Sequence, residues 1–137
     1  MSRVCNEWRV RVYYEDTDAV GMVYHANYLK YMERGRTEWL RSLGFNQSEL
    51  KKNKNLVFVV VTTELNFKKP VKIDEEVIVH TLLDRIRGAS LMLTQEVRDR
   101  ENKIACLGFH LLGCVCADSY LPRRIPKNLL EVLSHVD

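Results

Sequence analysis

Long hydrophobic runs are missing from this chain. No apolar stretch in its 137 residues is long enough to span a bilayer. The opening residues Met1 to Arg9 lack the apolar core of a signal peptide. These absences make the cytoplasm the expected location. Cysteine is scarce, and no two cysteines are spaced as Cys-x-x-Cys. Cys106, Cys114 and Cys116 fall in an apolar run and, with Cys5, read as reduced, buried thiols. His25, His80, His110 and His135 share no ligand spacing with them, so no metal site is expected. A strong excess of charge is also absent. The net charge of +3 is far short of a nucleic-acid-binding domain. There is no glycine-rich phosphate loop, internal repeat, low-complexity tract or linker. The length suits one domain with one core, residues 1–137.

What is present is a change of period. Trp8, Val10, Val12 and Tyr14 alternate with Arg9, Arg11, Tyr13 and Glu15, the pattern of a half-buried strand. Asp16 to Val23 carries turn chemistry and a glycine and reads as a loop. From His25 to Leu43 the spacing becomes helical, with Tyr28, Met32, Gly35, Trp39 and Leu43 on one face and Gly44 as a stop. Gly35 weakens a helix relative to Ala, so its place on the apolar face predicts a close approach by another backbone. A polar, lysine-rich connection follows, Asn46 to Asn55.

Strand patterns then run from Val57 to Phe67, stopped by Pro70, and from Glu76 to Arg87. Two more run from Ala89 to Arg98 and from Lys103 to Ala117. Pro122 to Pro126 reads as extended, and Asn128 to Val136 as a short terminal helix. Short joins between long strands favour antiparallel pairing. One long helix lying across about five such strands predicts a two-layer α+β domain. Apolar residues on both faces of the second and last strands suggest that subunits meet there.

The chemistry concentrates between Val12 and Trp39. A carboxylate (Asp18), a flexible residue (Gly21) and an imidazole (His25) fall where the loop turns into the helix. A helix N-terminus presents unpaired N–H groups and a partial positive charge. A carboxylate beside such donors can attack a carbonyl, or activate water against it, while the carbonyl oxygen rests on those donors.

The string Tyr14-Glu15-Asp16-Thr17-Asp18-Ala19, with Gly21, Val23, Tyr24, His25, Asn27, Tyr28, Glu33, Arg34 and Arg36-Thr37-Glu38, closely resembles the hotdog-fold acyl-CoA thioesterases of the 4-hydroxybenzoyl-CoA thioesterase class. Within that class it looks most like the YbgC-type enzymes associated with the bacterial Tol–Pal system. Arg87-Gly88-Ala89-Ser90 resembles the family's turn between two strands, and Pro122 to Pro126 its C-terminal segment. The resemblance implies one central helix wrapped by the sheet. It also implies two subunits joined into a continuous sheet, homodimers paired into homotetramers, and active sites at the subunit interface. By position, Asp18 matches the catalytic aspartate and His25 the histidine at the helix start. The backbone N–H near Tyr24 and His25 matches the donor to the thioester carbonyl. Val20 stands where close relatives often have glycine, which would narrow the acyl pocket or stiffen the loop. Gly35 stands where they often have alanine.

Each residue also has a plainer reading. Asp18 is a residue type that caps helices. His25 could be a first-turn polar group bonded to the loop. Asp16 reads as structural, and Tyr13, Tyr14, Tyr24 and Tyr28 as core or pocket wall. Asn27 either bonds the loop or lines the pocket. Glu33, Arg34, Arg36 and Glu38 read as a solvated helix face with i,i+4 pairing, unless the sheet buries some of them. Of the basic clusters (Lys51-Lys52-x-Lys54, Lys68-Lys69-x-x-Lys72, Arg85-x-Arg87, Arg123-Arg124-x-x-Lys127), any one is ordinary surface. Phosphates of coenzyme A suit Arg and Lys donors, and Arg87, Ser90 and Arg124 are the candidate contacts.

The expected activity is hydrolysis of an acyl-CoA, short aliphatic or small aromatic, to free acid and coenzyme A. Asp18 acts as nucleophile or general base. A carboxylate is a weak base, which favours direct attack. No metal or redox cofactor is needed, since coenzyme A enters as substrate. Acyl carrier protein is an alternative carrier. The rival readings are a hotdog hydratase or dehydratase and a non-catalytic acyl-carrier-binding module.

Overall fold

The computed structural model describes residues 3–134, and for Arg3, Val4 and Cys5 the backbone alone. The expectations for the Cys5 thiol, for His135 and for the helix beyond residue 134 lie outside the described residues. In chain order the elements are β1 (Arg3–Arg11), α1 (Asn27–Ser42), α2 (Gln47–Lys54), β2 (Leu56–Phe67), β3 (Glu76–Arg87), β4 (Ser90–Arg98), β5 (Ile104–Cys116) and α3 (Lys127–Ser134). The strands form one sheet in the order β1-β3-β4-β5-β2, and every neighbouring pair is antiparallel. The α+β class and the strand assignments agree with the sequence reading to within a residue or so at most ends.

Three local expectations need correction. The first strand ends at Arg11, and the chain then makes a single 3-10 turn over Tyr14–Asp16. Tyr14, placed on the buried face by alternation, is 84% exposed. The Asp16 carboxylate takes the Tyr13 N–H at 2.9 Å and turns the backbone there. The long helix begins at Asn27, so His25 and Ala26 precede it. Its far end is as expected: Gly44 follows with φ +91°, a conformation suited to glycine.

The third correction is α2, which occupies the stretch read as a connection. Its only buried residue is Leu50, so no hydrophobic period announces it. Its ends do. The Asn46 side chain accepts the Glu49 N–H at 2.8 Å, and Asn55 closes the helix in a left-handed conformation.

Helix α1 buries Tyr28, Tyr31, Met32, Gly35, Trp39 and Leu40. Its first half joins Val10, Val12, Val71, Val77 and Val79 in one cluster. Its second half joins Leu56, Leu91, Leu93, Ile125, Leu129 and Leu133 in another, which brings in α3. Each such aliphatic side chain contributes about 1.5–3 kcal/mol when removed from water. Among the cysteines whose side chains are described, Cys106 and Cys114 are buried, Cys116 is half-buried, and all three are unpaired. Burial pushes the Cys106 thiol up to about 12.

Polar side chains fix the helix on the sheet. Buried Gln95 of β4 donates to the Met32 carbonyl at 3.0 Å and to Thr81 Oγ1 at 2.9 Å. Its Oε1 accepts from the half-buried Arg36 at 3.0 Å. The residues read as a solvated helix face therefore divide. Glu38 pairs with Arg41 at the surface, whereas Arg36 turns inward. Side chains, not a backbone, approach Gly35. A Cβ there would lie 2.8 Å from Val79 Cγ1 and 3.2 Å from Gln95 Nε2. A valine cannot swing aside without leaving its rotamer. Gly35→Ala would recover about 1 kcal/mol of helix propensity but meet overpacking of about 1–3 kcal/mol. A net loss of about 1 kcal/mol is expected, read as a lower urea midpoint at unchanged slope.

Candidate active site

Site geometry begins with the loop between β1 and α1. Asp18 and Met22 close it: the Asp18 N–H bonds the Met22 carbonyl at 2.8 Å, and the Gly21 N–H bonds the Asp18 carbonyl at 3.0 Å. Gly21 takes φ +84°, which L side chains rarely adopt. The loop is then stitched to residues 71–73 through Val23 N–H to Val71 O (2.8 Å) and Ile73 N–H to Gly21 O (3.3 Å).

Within this loop Asp18 Oδ1 accepts the Val20 N–H at 2.9 Å and the Met22 N–H at 3.2 Å. Among the described residues Oδ2 takes no bond. Asp18 is exposed and lines an open cavity of about 340 Å³ together with Met22, Val23, His25 and Tyr28. Phe67, Lys68, Lys69 and Pro70, from the end of β2 and just beyond, close the other side. His25 is framed by rings, with Tyr24 at 4.5 Å and Phe67 edge-on at 6.2 Å between centroids. Tyr28 meets Phe67 at 5.9 Å. Burial raises the Tyr28 phenol to about 12, with Cys106 and Glu75 adding to the shift, so it stays protonated at neutral pH.

Asp16, two positions before Asp18, is buried and fully engaged. Its Oδ2 takes the Tyr13 N–H at 2.9 Å and its Oδ1 the Asn27 amide at 2.9 Å. Burial pushes its pKa up, but Tyr13, Asn27, Tyr31 and the charge of Arg34 outweigh this and hold it below the ordinary value. A second buried carboxylate, Asp99, takes the Glu101 and Lys103 N–H groups, both at 2.9 Å. It also holds the Lys69 ammonium, which ties the cavity wall to the β4–β5 turn.

The structure brings Asp18 and His25 to one cavity and sends the other candidates elsewhere. Asn27 is buried, and its amide is committed to Asp16. It bonds the loop and does not line the cavity. The Tyr24 N–H, expected as a carbonyl donor, is given to the Asp16 carbonyl at 2.9 Å. The Tyr24 ring is 48% exposed beside His25. Val20 is exposed and does not narrow the cavity.

Arg87 and Ser90 flank the β3–β4 turn, where Ser90 Oγ donates to the Arg87 carbonyl at 3.0 Å. Arg124 lies beside them, because the Ile125 N–H bonds the Gly88 carbonyl at 3.1 Å. These three residues cluster as expected, but at the other end of the sheet from Asp18. The Asp18 loop is attached just before Glu76, and Arg87 ends the same strand, so about 35 Å separate them. Sequence reasoning passed over Phe67, Lys68 and Lys69 as wall residues. The proline just after a lysine pair, where a strand must stop, was the available signal. Among the described residues no cluster of His, Cys, Asp and Glu could hold a metal ion, and no helix is long and apolar enough to cross a membrane.

Comparison with known proteins identifies the family and the fold. The profile of the thioesterase superfamily matches residues 20–106. It begins two positions after Asp18 and includes His25. The acyl-CoA thioester hydrolase YbgC of Escherichia coli is 38% identical over 130 residues, covering 95% of this chain and 96% of its own. The acyl-CoA thioesterase YbgC of Haemophilus influenzae is 37% identical, covering 93% of each. Among solved structures, a probable thioesterase from Bartonella henselae superposes with a TM-score of 0.83 at 36% identity, covering 88% of this chain and 98% of that one. The chain belongs to the thioesterase superfamily, in its YbgC-like hotdog group.

Asp16 predicts the acid response of the fold. Its folded pKa is depressed, so it stabilises the native state above the unfolded carboxylate value, near 4. That stability is lost as pH falls through the folded value. Urea unfolding between neutral pH and pH 3 should show a steep loss below about pH 4 in the wild type, and a shallower one in Asp16→Asn. An unchanged slope in the variant would contradict this role.

Proposed function

We propose that the chain hydrolyses acyl-CoA thioesters to free acid and coenzyme A, with Asp18 as nucleophile or general base. One observation carries the reading. Two loop N–H groups fix Oδ1 of Asp18, while Oδ2 takes no bond among the described residues, in a side chain that lines the His25 cavity. As nucleophile, Oδ2 attacks the thioester carbon, the carbonyl oxygen takes up charge, and the thiolate leaves a mixed anhydride that water cleaves. As base, the same oxygen takes a proton from the attacking water. With the Tyr24 N–H engaged, the next amide, that of His25, is assigned to the developing oxyanion. The imidazole of His25 orients water or protonates the departing thiolate. A thiolate leaves readily, so this help is modest. The step uses no metal or redox cofactor.

A cavity of about 340 Å³ is near the small end of ligand pockets and suits a short aliphatic or small aromatic acyl group. Both YbgC relatives named above are acyl-CoA thioesterases, which supports the coenzyme A carrier over acyl carrier protein.

One chain cannot bring Arg87, Ser90 and Arg124 to its own Asp18 across a strand length. The reading therefore includes a second copy that supplies these nucleotide contacts. The single domain, 1–137, with α1 as the central helix of the hotdog, forms a homodimer along the free edge of β2, and dimers pair into a cytoplasmic homotetramer. The edge is apolar where this requires it: Val59, Val60 and Val61 are 38%, 50% and 57% exposed.

Asp18→Asn should keep the fold and lower kcat by about two orders of magnitude or more, measured as thiol released from acyl-CoA. His25→Ala should cost less. Turnover near wild type in a folded Asp18→Asn protein would remove the assignment. A hydratase would instead change the acyl chain without releasing thiol. Val60→Lys should shift the sedimenting species toward monomer and lose activity with it. A fully active monomer would exclude the shared site.

A further inference from the structure

Two basic stretches that the proposed chemistry does not use as a group meet at one end of the molecule. Lys51, Lys52 and Lys54 are exposed on α2. The Arg123 guanidinium bonds the Lys54 carbonyl at 2.7 Å, and the Ala117 N–H bonds the Asn55 carbonyl at 3.0 Å. Arg124 and Lys127 follow on the same segment, which is held at Gly88. Asp118, Glu49 and Glu131 are the acidic residues of these segments, and Asp118 is engaged by the Asn55 amide at 3.1 Å. The remaining excess is as large as the net charge of the whole chain, +3.

A protruding turn stands among these cations. Tyr120 and Leu121 are 73% and 64% exposed. Backbone bonds hold them there: Tyr120 N–H to Cys116 O and Cys116 N–H to Leu121 O, each 2.9 Å. Tyr120 sits at φ +60°, an unfavourable conformation for a bulky residue. Two large apolar side chains are thus displayed to water at a conformational cost.

We propose that this end docks on an anionic lipid bilayer surface, with Lys51, Lys52 and Lys54 on the headgroups and Tyr120 and Leu121 in the interfacial layer. Lipid is the partner that takes both features together. Anionic headgroups attract clustered lysines, and the interface accepts an aromatic ring and an aliphatic side chain side by side. A nucleic acid would satisfy the lysines and the ring but leave Leu121 in water.

The test is co-sedimentation of the full-length protein with vesicles of phosphatidylglycerol and phosphatidylcholine, against phosphatidylcholine alone. Binding to the anionic vesicles, weakened by salt, is expected. Lys51→Gln/Lys52→Gln should weaken it by roughly fivefold per lysine. Tyr120→Asn/Leu121→Ser, in which asparagine tolerates the positive φ, should weaken it at least as much. Both variants should keep the wild-type circular dichroism and hydrolyse soluble acyl-CoA as before. Equal binding to both vesicle types overturns the proposal, as does no binding to the anionic ones or wild-type binding by the Tyr120/Leu121 variant. So would a raised KM for acyl-CoA with unchanged vesicle binding, which would give the surface to the nucleotide. Tighter binding of an RNA oligonucleotide that depends on Tyr120 and Leu121 would reassign it to nucleic acid.

Discussion

The buried bond between the Asp16 carboxylate and the Asn27 amide holds the site together. A carboxylate out of water is costly unless its oxygens are taken up by donors. Asp16 collects its donors from two elements, the turn leaving β1 and the first residue of α1. Its backbone carbonyl takes a third, the Tyr24 N–H. The chain can satisfy this group only by folding the loop back onto the helix start. That closure sets where Asp18 and His25 stand relative to each other.

Two aspartates within one short loop thereby take opposite roles. Asp16 has a donor on each oxygen, so its charge is fixed and its chemistry is suppressed. Asp18 has both N–H bonds on one oxygen and is exposed. A carboxylate held at one oxygen keeps its direction without losing the lone pairs of the other. The opposite wall uses the same device at a distance. Asp99 binds its own turn and also holds Lys69, so the lysine becomes part of a rigid wall.

Periodicity made the sheet legible, because β3, β4 and β5 alternate or run apolar over lengths that helices do not match. That Asp18 and His25 meet at one cavity was legible, because both lie where the loop turns into α1. Other features were hidden for physical reasons. Helix α2 buries one residue and is defined by its caps. The distinction between Asp16 and Asp18 depends on which is desolvated, and that is settled by Asn27, eleven positions further on. The engagement of the Tyr24 N–H follows from the loop's closure, which no local pattern encodes. The separation of Arg87 from Asp18 is a property of strand length, which was readable, and of which end of β3 the loop joins, which was not.

That separation has a geometric resolution. Phe67, the last residue of β2, lines the Asp18 cavity, while Arg123 is bonded at Lys54, just before Leu56 begins the strand. The cavity and the basic segment thus mark opposite ends of one edge strand. If two identical edges pair antiparallel about a two-fold axis, the ends exchange, and the start of one β2 lies beside the end of the other. Each cavity then faces the 123–124 segment of the second copy, and with it the Arg87 turn packed against that segment. The same operation covers Val59, Val60 and Val61, which a lone chain exposes. What one subunit separates by a strand length, the proposed pair joins as a path from carboxylate to guanidinium, and a dimer built this way carries the path twice.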